Sequence, residues 1–169
     1  SAGTGLKGFG KAAGIPAGTW ASGGSLNNGR TGVSGSRNST SHTSASAFGG
    51  FTTPPLTARG YTEEYNGTSW SEDTDLNIAR GQTSGTGTSA IAGICYGGET
   101  YPSPTNKTET EVWNGSSWTE VGDLNTAREN CGGAGTATSA LAFGGYDSDV
   151  SAKTESWSGS SWTEVNDLN

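Results

Sequence analysis

The sequence predicts an all-β protein built from repeated four-stranded antiparallel sheets. Glycine occupies 29 of the 169 positions, and no apolar pattern with a period of 3.6 residues extends beyond a turn, which argues against helices. Three motifs recur in one order at a spacing of roughly 44 to 50 residues, which is typical of a structural repeat. Aliphatic residues are scarce, so the six tryptophans are expected to supply most of the buried apolar surface.

The first motif is a Thr-Glu pair, an aromatic residue, a small polar turn and a final Trp. It predicts a strand that enters a tight turn, because Asn and Gly tolerate the positive φ of such turns, and a second strand that begins at the Trp. The copies are TEEYNGTSW (62–70), TETEVWNGSSW (108–118), TESWSGSSW (154–162) and a worn GIPAGTW (14–20). Their final residues are Trp20, Trp70, Trp118 and Trp162, all interpreted as buried.

The second motif follows each Trp and reads SLNNGR (25–30), DLNIAR (75–80), DLNTAR (123–128) and DLN (167–169). Its arginines recur in phase with a glutamate of the first motif, so we expect a structural ion pair or backbone hydrogen bond between neighbouring repeats rather than a charged binding ring. The aspartates are expected to accept backbone hydrogen bonds in turns. The residues are Arg30, Arg80 and Arg128, Glu63, Glu111 and Glu155, and Asp75, Asp123 and Asp167.

The third motif is a short apolar run closed by a glycine pair, ASAFGG (45–50), GICYGG (93–98) and ALAFGG (140–145). The run has the length of a buried strand. The pair is interpreted as a place where backbone approaches closely and an indole lies on it. Upstream Gly/Ser/Thr-rich stretches, 81–90 and 130–140, predict a further strand crowded near a central axis. The paired glycines are Gly49, Gly50, Gly97, Gly98, Gly144 and Gly145.

Four short strands per repeat of this length predict a β-propeller. We expect an N-terminal segment with a degenerate half blade and then three blades. Because propellers close with four to eight blades, these blades would form a ring only with further blades of a longer chain or with other copies. The boundaries are 1–29 for the N-terminal segment and 30–77, 78–125 and 126–169 for the blades.

The ordered motifs resemble kelch-type repeats over residues 20–169: an apolar strand, a glycine pair, then an aromatic residue and a Trp at fixed distance. The resemblance implies a kelch-like propeller in which the glycine pair ends the second strand of each blade and the two aromatics belong to the third and fourth. The wording TE-aromatic-NGTSW, DLNTAR and TSALAFGG is similar to such arrays in structural proteins of bacteriophages, notably marine ones.

Binding residues are sought where the repeats differ, in loops held by a rigid scaffold. The divergent segments follow the glycine pairs, at 51–61, 99–107 and 146–153. Their aromatic rings could stack on a sugar whose hydroxyls donate to the carboxylates; the alternative is that they are simply solvated loops. The candidates are Phe51, Arg59, Tyr61, Tyr101, Tyr146, Asp147 and Asp149.

Composition argues against several classes of function. The net charge of −7 leaves no basic excess for a nucleic acid, and no apolar stretch has the length of a membrane span. The single histidine, His42, is interpreted as a polar strand residue and cannot build a copper site, so we expect no enzyme, metal or cofactor. Cys95 and Cys131 are expected to be buried free thiols.

The expected function is that of a non-enzymatic structural or adhesive component of a bacteriophage virion, in its tail, fibre or surface. The alternative is a carbohydrate-binding propeller module of a secreted or cell-surface protein. The expected partners are other virion proteins, remaining blades of the same protein, further copies of this chain or a cell-surface glycan, and the expected location is the virion or the extracellular space.

Overall fold

The computed structural model describes residues 23–36 and 42–169. These residues form strands, turns and bends without a helix, which confirms the all-β prediction. The predicted half blade with Trp20 lies mostly outside the described residues. In chain order the strands are β1 (Ser34–Gly35), β2 (Ala45–Phe48), β3 (Phe51–Thr52), β4 (Thr57–Ala58), β5 (Thr62–Tyr65), β6 (Trp70–Asp73), β7 (Ser84–Ser89), β8 (Ala92–Tyr96), β9 (Glu99–Thr100), β10 (Thr105–Asn106), β11 (Thr110–Trp113), β12 (Trp118–Glu120), β13 (Gly132–Thr136), β14 (Ser139–Phe143), β15 (Thr154–Trp157) and β16 (Trp162–Val165).

Three four-stranded antiparallel sheets follow one another along the described chain. Sheet I has the order β1-β2-β5-β6, sheet II the order β7-β8-β11-β12 and sheet III the order β13-β14-β15-β16. Each sheet therefore uses a Gly/Ser/Thr-rich strand first and a strand that begins with Trp last, as the motifs predict. The segments 51–61 and 99–107 differ from the prediction, because each contains a small separate hairpin, β3–β4 and β9–β10.

In sheets I and II the glycine pair brings the end of the second strand against the chain that enters the next sheet. Gly49 and Gly50 have φ values of 67° and 109°, in the region that favours glycine. A Cβ on Gly49 would lie 2.6 Å from the carbonyl oxygen of Arg80, and Gly50 N–H donates to that same oxygen at 2.9 Å. The backbone approach is thus as predicted, but its partner is this carbonyl and not an indole.

The tryptophans instead join one sheet to the sheet before it. Trp118 of sheet II packs edge-on against Phe48 of sheet I, with ring centroids 4.9 Å apart, and its Nε1 donates to Thr62 Oγ1 at 2.8 Å. Trp162 of sheet III repeats the arrangement on Tyr96 and Thr110 of sheet II, at 4.9 Å and 2.9 Å. Both indoles are therefore buried between sheets with their polar atom satisfied.

Trp70 departs from the prediction that every repeated Trp is buried. It is only half-buried, and its Nε1 donates to the backbone oxygen of Gly24 at 3.1 Å. The reason is its position in sheet I, because no sheet in the described part of the chain precedes it.

The repeated arginines and glutamates form buried ion pairs, as expected, but within one sheet rather than between neighbouring repeats. Arg80, which precedes β7, pairs with Glu111 on β11 of the same sheet, and neither side chain is exposed. Glu111 also accepts from the backbone and side-chain nitrogens of Asn77, at 2.7 and 2.8 Å. The ion pair and the hydrogen bond from the asparagine backbone N–H recur with Arg30, Glu63 and Asn27 in sheet I and with Arg128, Glu155 and Asn125 in sheet III.

Smaller predictions from the motifs are also confirmed. The carboxylates of the second motif accept the N–H of the residue that begins the third strand, at 3.2–3.3 Å: Asp75 from Thr62, Asp123 from Thr110 and Asp167 from Thr154. Both cysteines are buried free thiols, and burial raises the pKa of each thiol above its usual range. They are therefore expected to stay protonated and unreactive at neutral pH.

A chain of backbone hydrogen bonds links the three sheets next to their first strands. Gln82 N–H donates to Gly32 O, and Asn130 N–H donates to Gln82 O, each at 2.9 Å. All three residues have positive φ, from 50° to 64°. In the second and third repeats, this residue therefore donates a hydrogen bond to its counterpart in the preceding repeat.

Candidate functional site

The three divergent segments, 51–61, 99–107 and 146–153, lie side by side at the end of the sheets where the glycine pairs are; we call this surface the loop edge. Each is anchored by an isolated antiparallel bridge to the residue after a repeated arginine. The bridges join Thr31 to Phe51, Gly81 to Glu99 and Glu129 to Tyr146. Because the anchors belong to the repeat, the divergent segments start from equivalent positions.

Contacts between the segments make the loop edge continuous. The rings of Phe51 and Tyr101 meet edge-on with centroids 6.3 Å apart. Asn106 Nδ2 donates to the carbonyl oxygen of Tyr146 at 3.0 Å. The structure therefore brings the candidate aromatics of the first two segments together and places the third segment beside them.

Phe51 is a scaffold residue rather than a ligand contact. It is only 4% exposed, and its ring occupies the space that a Cβ on Gly81 would need, at 2.5 Å. The interpretation of Phe51 as part of the recognition surface is therefore wrong, because its ring is used to pack the first segment against the chain entering sheet II.

Arg59 and Tyr61 form a stacked pair at the start of this edge. The guanidinium carbon of Arg59 lies 5.6 Å from the Tyr61 ring centroid, and its Nε donates to Thr52 Oγ1 at 3.0 Å. The buried Arg30 lies 5.9 Å from the same ring. Among the described residues Arg59 has no carboxylate partner, so its terminal nitrogens remain available to an anionic or hydroxyl-bearing ligand.

The third segment offers one exposed ring and one free carboxylate. Tyr146 is 46% exposed, whereas Tyr101 is half-buried. Asp147 is tied to Lys153 at 2.9 Å, and the hydrogen bond from this ammonium group holds the pKa of Asp147 below its usual range. Asp149 is exposed and accepts the N–H of Val150 through one oxygen, which leaves the other free.

A polar cluster below the loop edge was not identified from the sequence. Gln82 Nε2 donates to Glu99 Oε2 at 3.2 Å, and Asn130 Nδ2 donates to Gln82 Oε1. Burial, and then the negative charge of Glu99, raises the pKa of Glu129 above its usual range. The available signal was the in-phase series Gly32, Gln82 and Asn130, two residues after each repeated arginine.

Three further features bear on function in the described part of the chain: metal-binding groups, His42 and membrane-spanning helices. No group of three or more His, Cys, Asp or Glu residues there could hold a metal ion. His42 is exposed in the turn before β2, so its interpretation as a strand residue is wrong. None of the segments described contains a helix long and apolar enough to cross a membrane.

No family model matches the chain, and no curated protein is significantly similar to it in sequence.

Proposed function

We propose that the chain is a non-enzymatic binding scaffold, a structural or adhesive component whose loop edge recognises a partner. The observation that supports this most directly is the continuity of three unlike segments on one rigid framework. Tyr101, Tyr146 and Asp149 remain accessible there, whereas the repeated aromatic and charged residues of the three sheets are mostly buried. Binding residues held in this way are characteristic of loops on a rigid scaffold.

The proposed architecture is a β-propeller of kelch type, with the three sheets as successive blades. The support is that each sheet is a four-stranded meander and that the same contacts recur from each sheet to the next. The Gln82-to-Gly32 and Asn130-to-Gln82 hydrogen bonds link neighbouring first strands, as expected for strands that surround a common axis.

The proposed setting is a bacteriophage virion, in its tail, fibre or surface. The support here is the sequence resemblance of the TE-aromatic-NGTSW, DLNTAR and TSALAFGG wording. A virion role predicts that peptides of this chain copurify with intact particles at fixed stoichiometry through a density gradient. Loss of the chain from the particle band while known capsid proteins remain would contradict it.

A carbohydrate ligand is the second candidate, and the combination of accessible rings with Asp149 and Arg59 favours it. Aromatic faces stack on sugar rings, and carboxylate and guanidinium groups bond their hydroxyls. The test is binding of the labelled chain to an array of bacterial surface polysaccharides. We expect the double variant Y101A/Y146A to lose at least tenfold in apparent affinity.

The matched control for that test is Ile91→Ala. Ile91 is an exposed apolar residue in the β7–β8 turn, at the opposite end of the strands from the loop edge. Its truncation should leave binding unchanged. Equal loss in I91A and Y101A/Y146A would show that the loop edge is not the binding surface, and binding to no polysaccharide together with copurification with virions would favour a purely structural role.

A further inference from the structure

Sheet III leaves uncovered the face that sheets I and II bury. Leu141 lies on β14 two residues before Phe143, as Ile94 lies on β8 two residues before Tyr96. Ile94 is fully buried, but Leu141 is 41% exposed. A groove runs across this face beside Leu141, between β13, β14 and β15.

The leucine of the second motif shows the same difference. Leu76 and Leu124, which precede sheets II and III, are 5% and 3% exposed, whereas Leu168 is 52% exposed. Leu168 nevertheless lies in the equivalent position, close to Gly144 as Leu76 is close to Gly49. Sheet III therefore has the apolar residues that sheets I and II bury against the following sheet, but no described residue covers them.

Two polar groups on this face also lack the partner that their counterparts have. Thr154 is 8% exposed, and its Oγ1 has no hydrogen-bond partner among residues 23–36 and 42–169, whereas Thr62 and Thr110 each accept an indole N–H from the following sheet. Gly50 and Gly98 donate to the arginine carbonyl of the following sheet. Within the same described ranges, no acceptor faces the N–H of Gly145.

Sheet I carries the complementary half of such a junction. Its Tyr65 and Trp70 rings lie 5.2 Å apart at 37°, close to the 5.3 Å and 38° of Trp113 and Trp118 in sheet II. Trp70 is half-buried where Trp118 is buried, and its N–H is held by the Gly24 carbonyl instead of a threonine hydroxyl. The aromatic pair is thus already in the geometry that inserts into a preceding sheet.

We propose that the face of sheet III binds sheet I of a second copy of this chain. Trp70 of the second copy packs on Phe143 and donates its indole N–H to Thr154 Oγ1, and the carbonyl of the second copy's Arg30 accepts the N–H of Gly145. On the proposed propeller arrangement, on which this step rests, the described residues of two copies supply six four-stranded sheets, within the four to eight that close a ring. The junction then occurs twice, head to tail.

When the copies meet, the Trp70 N–H has to exchange Gly24 O for Thr154 Oγ1, and one short segment has to move. Residues 25–27, next to sheet I, and residues 167–169, next to sheet III, occupy equivalent positions of the repeat. In the proposed junction both segments would need the same space, so they compete.

The two competing segments are held by different hydrogen bonds. Asn27 N–H is bonded to the buried Glu63 carboxylate at 2.6 Å. Residues 166–169 are bonded to sheet III through Leu168 N–H to Ala152 O and through Thr154 N–H to Asp167, at 3.0 and 3.2 Å. In the proposed dimer the C-terminal segment gives way, and Leu26 of the second copy takes the place of Leu168.

The test is sedimentation of the full 169-residue chain over a range of concentrations. We expect a species of about twice 17.1 kDa. Leu141→Asp places a charge in the junction and should weaken association at least tenfold without affecting the folded chain, because Leu141 is exposed. Ile91→Asp, at the opposite end of the strands and 61% exposed, is the matched control and should leave the dimer intact.

Two further variants guard against a general loss of fold. Thr154→Val removes the hydroxyl that lacks a partner and should leave the unfolding transition of the monomer unchanged or raised while association weakens. Removal of residues 167–169 should strengthen association. Near-ultraviolet circular dichroism of the tryptophans checks that each variant is folded.

A wild-type chain that stays monomeric at every concentration would overturn the proposal, as would a dimer that persists in L141D. Open-ended assemblies in place of a dimer would overturn the two-copy ring. Polysaccharide binding by the loop edge is measured separately, and monomeric L141D should retain it. The two proposals can therefore fail independently.

Discussion

The repeated framework and the loop edge differ in how completely each side chain is buried and held by contacts with its neighbours. In the framework, one set of contacts occurs at both described junctions: an indole packs on the preceding sheet at 4.9 Å and donates to a threonine at 2.8 or 2.9 Å. At the loop edge, one segment is pinned by Phe51, another carries the half-buried Tyr101, and the third exposes Tyr146. The difference shows where a substitution is expected to lower the free energy of unfolding, and where the sequence can vary to recognise a partner.

The largest expected effect is at the buried ion pair. Glu111→Ala leaves Arg80 buried and unpaired and removes the acceptor of Asn77, so unfolding free energy should fall by about 3–5 kcal/mol. Glu120 lies directly opposite Glu111 on the neighbouring strand but is exposed, and Glu120→Ala should change stability by no more than about 0.5 kcal/mol. Urea unfolding of both variants measures this, and equal losses would contradict a special role for the buried pair.

The junction tryptophan ranks next. Trp118→Ala should cost roughly 3–5 kcal/mol, because it removes a buried ring and leaves Thr62 Oγ1 without its donor. Trp70→Ala should cost about half as much, since the exposed part of that ring contributes no burial. Thermal unfolding of the pair compares the two positions, and a larger loss at Trp70 would contradict the assignment of Trp118 as a junction residue.

A glycine substitution should have a smaller effect. Gly49→Ala forces a side chain onto a φ of 67°, which costs about 1–2 kcal/mol before the contact with the Arg80 carbonyl is added. Gly29 has open space around its Cβ position, and Gly29→Ala should be neutral within about 0.5 kcal/mol. Denaturant midpoints distinguish them, and a neutral G49A would contradict the close backbone approach.

The smallest expected effect is at the polar cluster below the loop edge, and it depends on pH. Burial and the Glu99 charge raise the pKa of Glu129 above 4.5, so the folded state binds this proton more readily than the unfolded state does. Its contribution to stability therefore decreases as pH rises from 4.5 through the raised pKa. Glu129→Gln should stabilise the chain slightly at pH 7 and lose that advantage near pH 4.5. A pH-independent difference would contradict this cause.

The fold could be predicted to the level of strands because each motif acts through local chemistry. Asn66 shows this: its Oδ1 accepts from the N–H groups of Thr68 and Ser69, which closes the predicted turn before Trp70. These features depend on residues only a few positions apart in the sequence.

What sequence could not supply were partners separated by a whole repeat. Trp118 contacts Phe48, which is 70 residues away in the sequence. Only the structure shows that the indole packs on this ring and donates to a threonine, and does not lie on paired glycines. The same holds for the candidate site. Phe51 and Tyr146 looked alike as loop aromatics, and only the packing of Phe51 against Gly81 separates the scaffold residue from the exposed one.

Arg80 serves two sheets with two different groups. Its guanidinium bonds Gly97 O and Glu111 within sheet II, while its carbonyl accepts the N–H of Gly50 from sheet I. If the sheet that binds the Arg80 guanidinium has not formed, the Arg80 carbonyl is not fixed in position to accept a hydrogen bond from the preceding sheet. Folding is thus coupled between nearest neighbours, and the three repeats are expected to melt cooperatively in one transition instead of detaching one at a time.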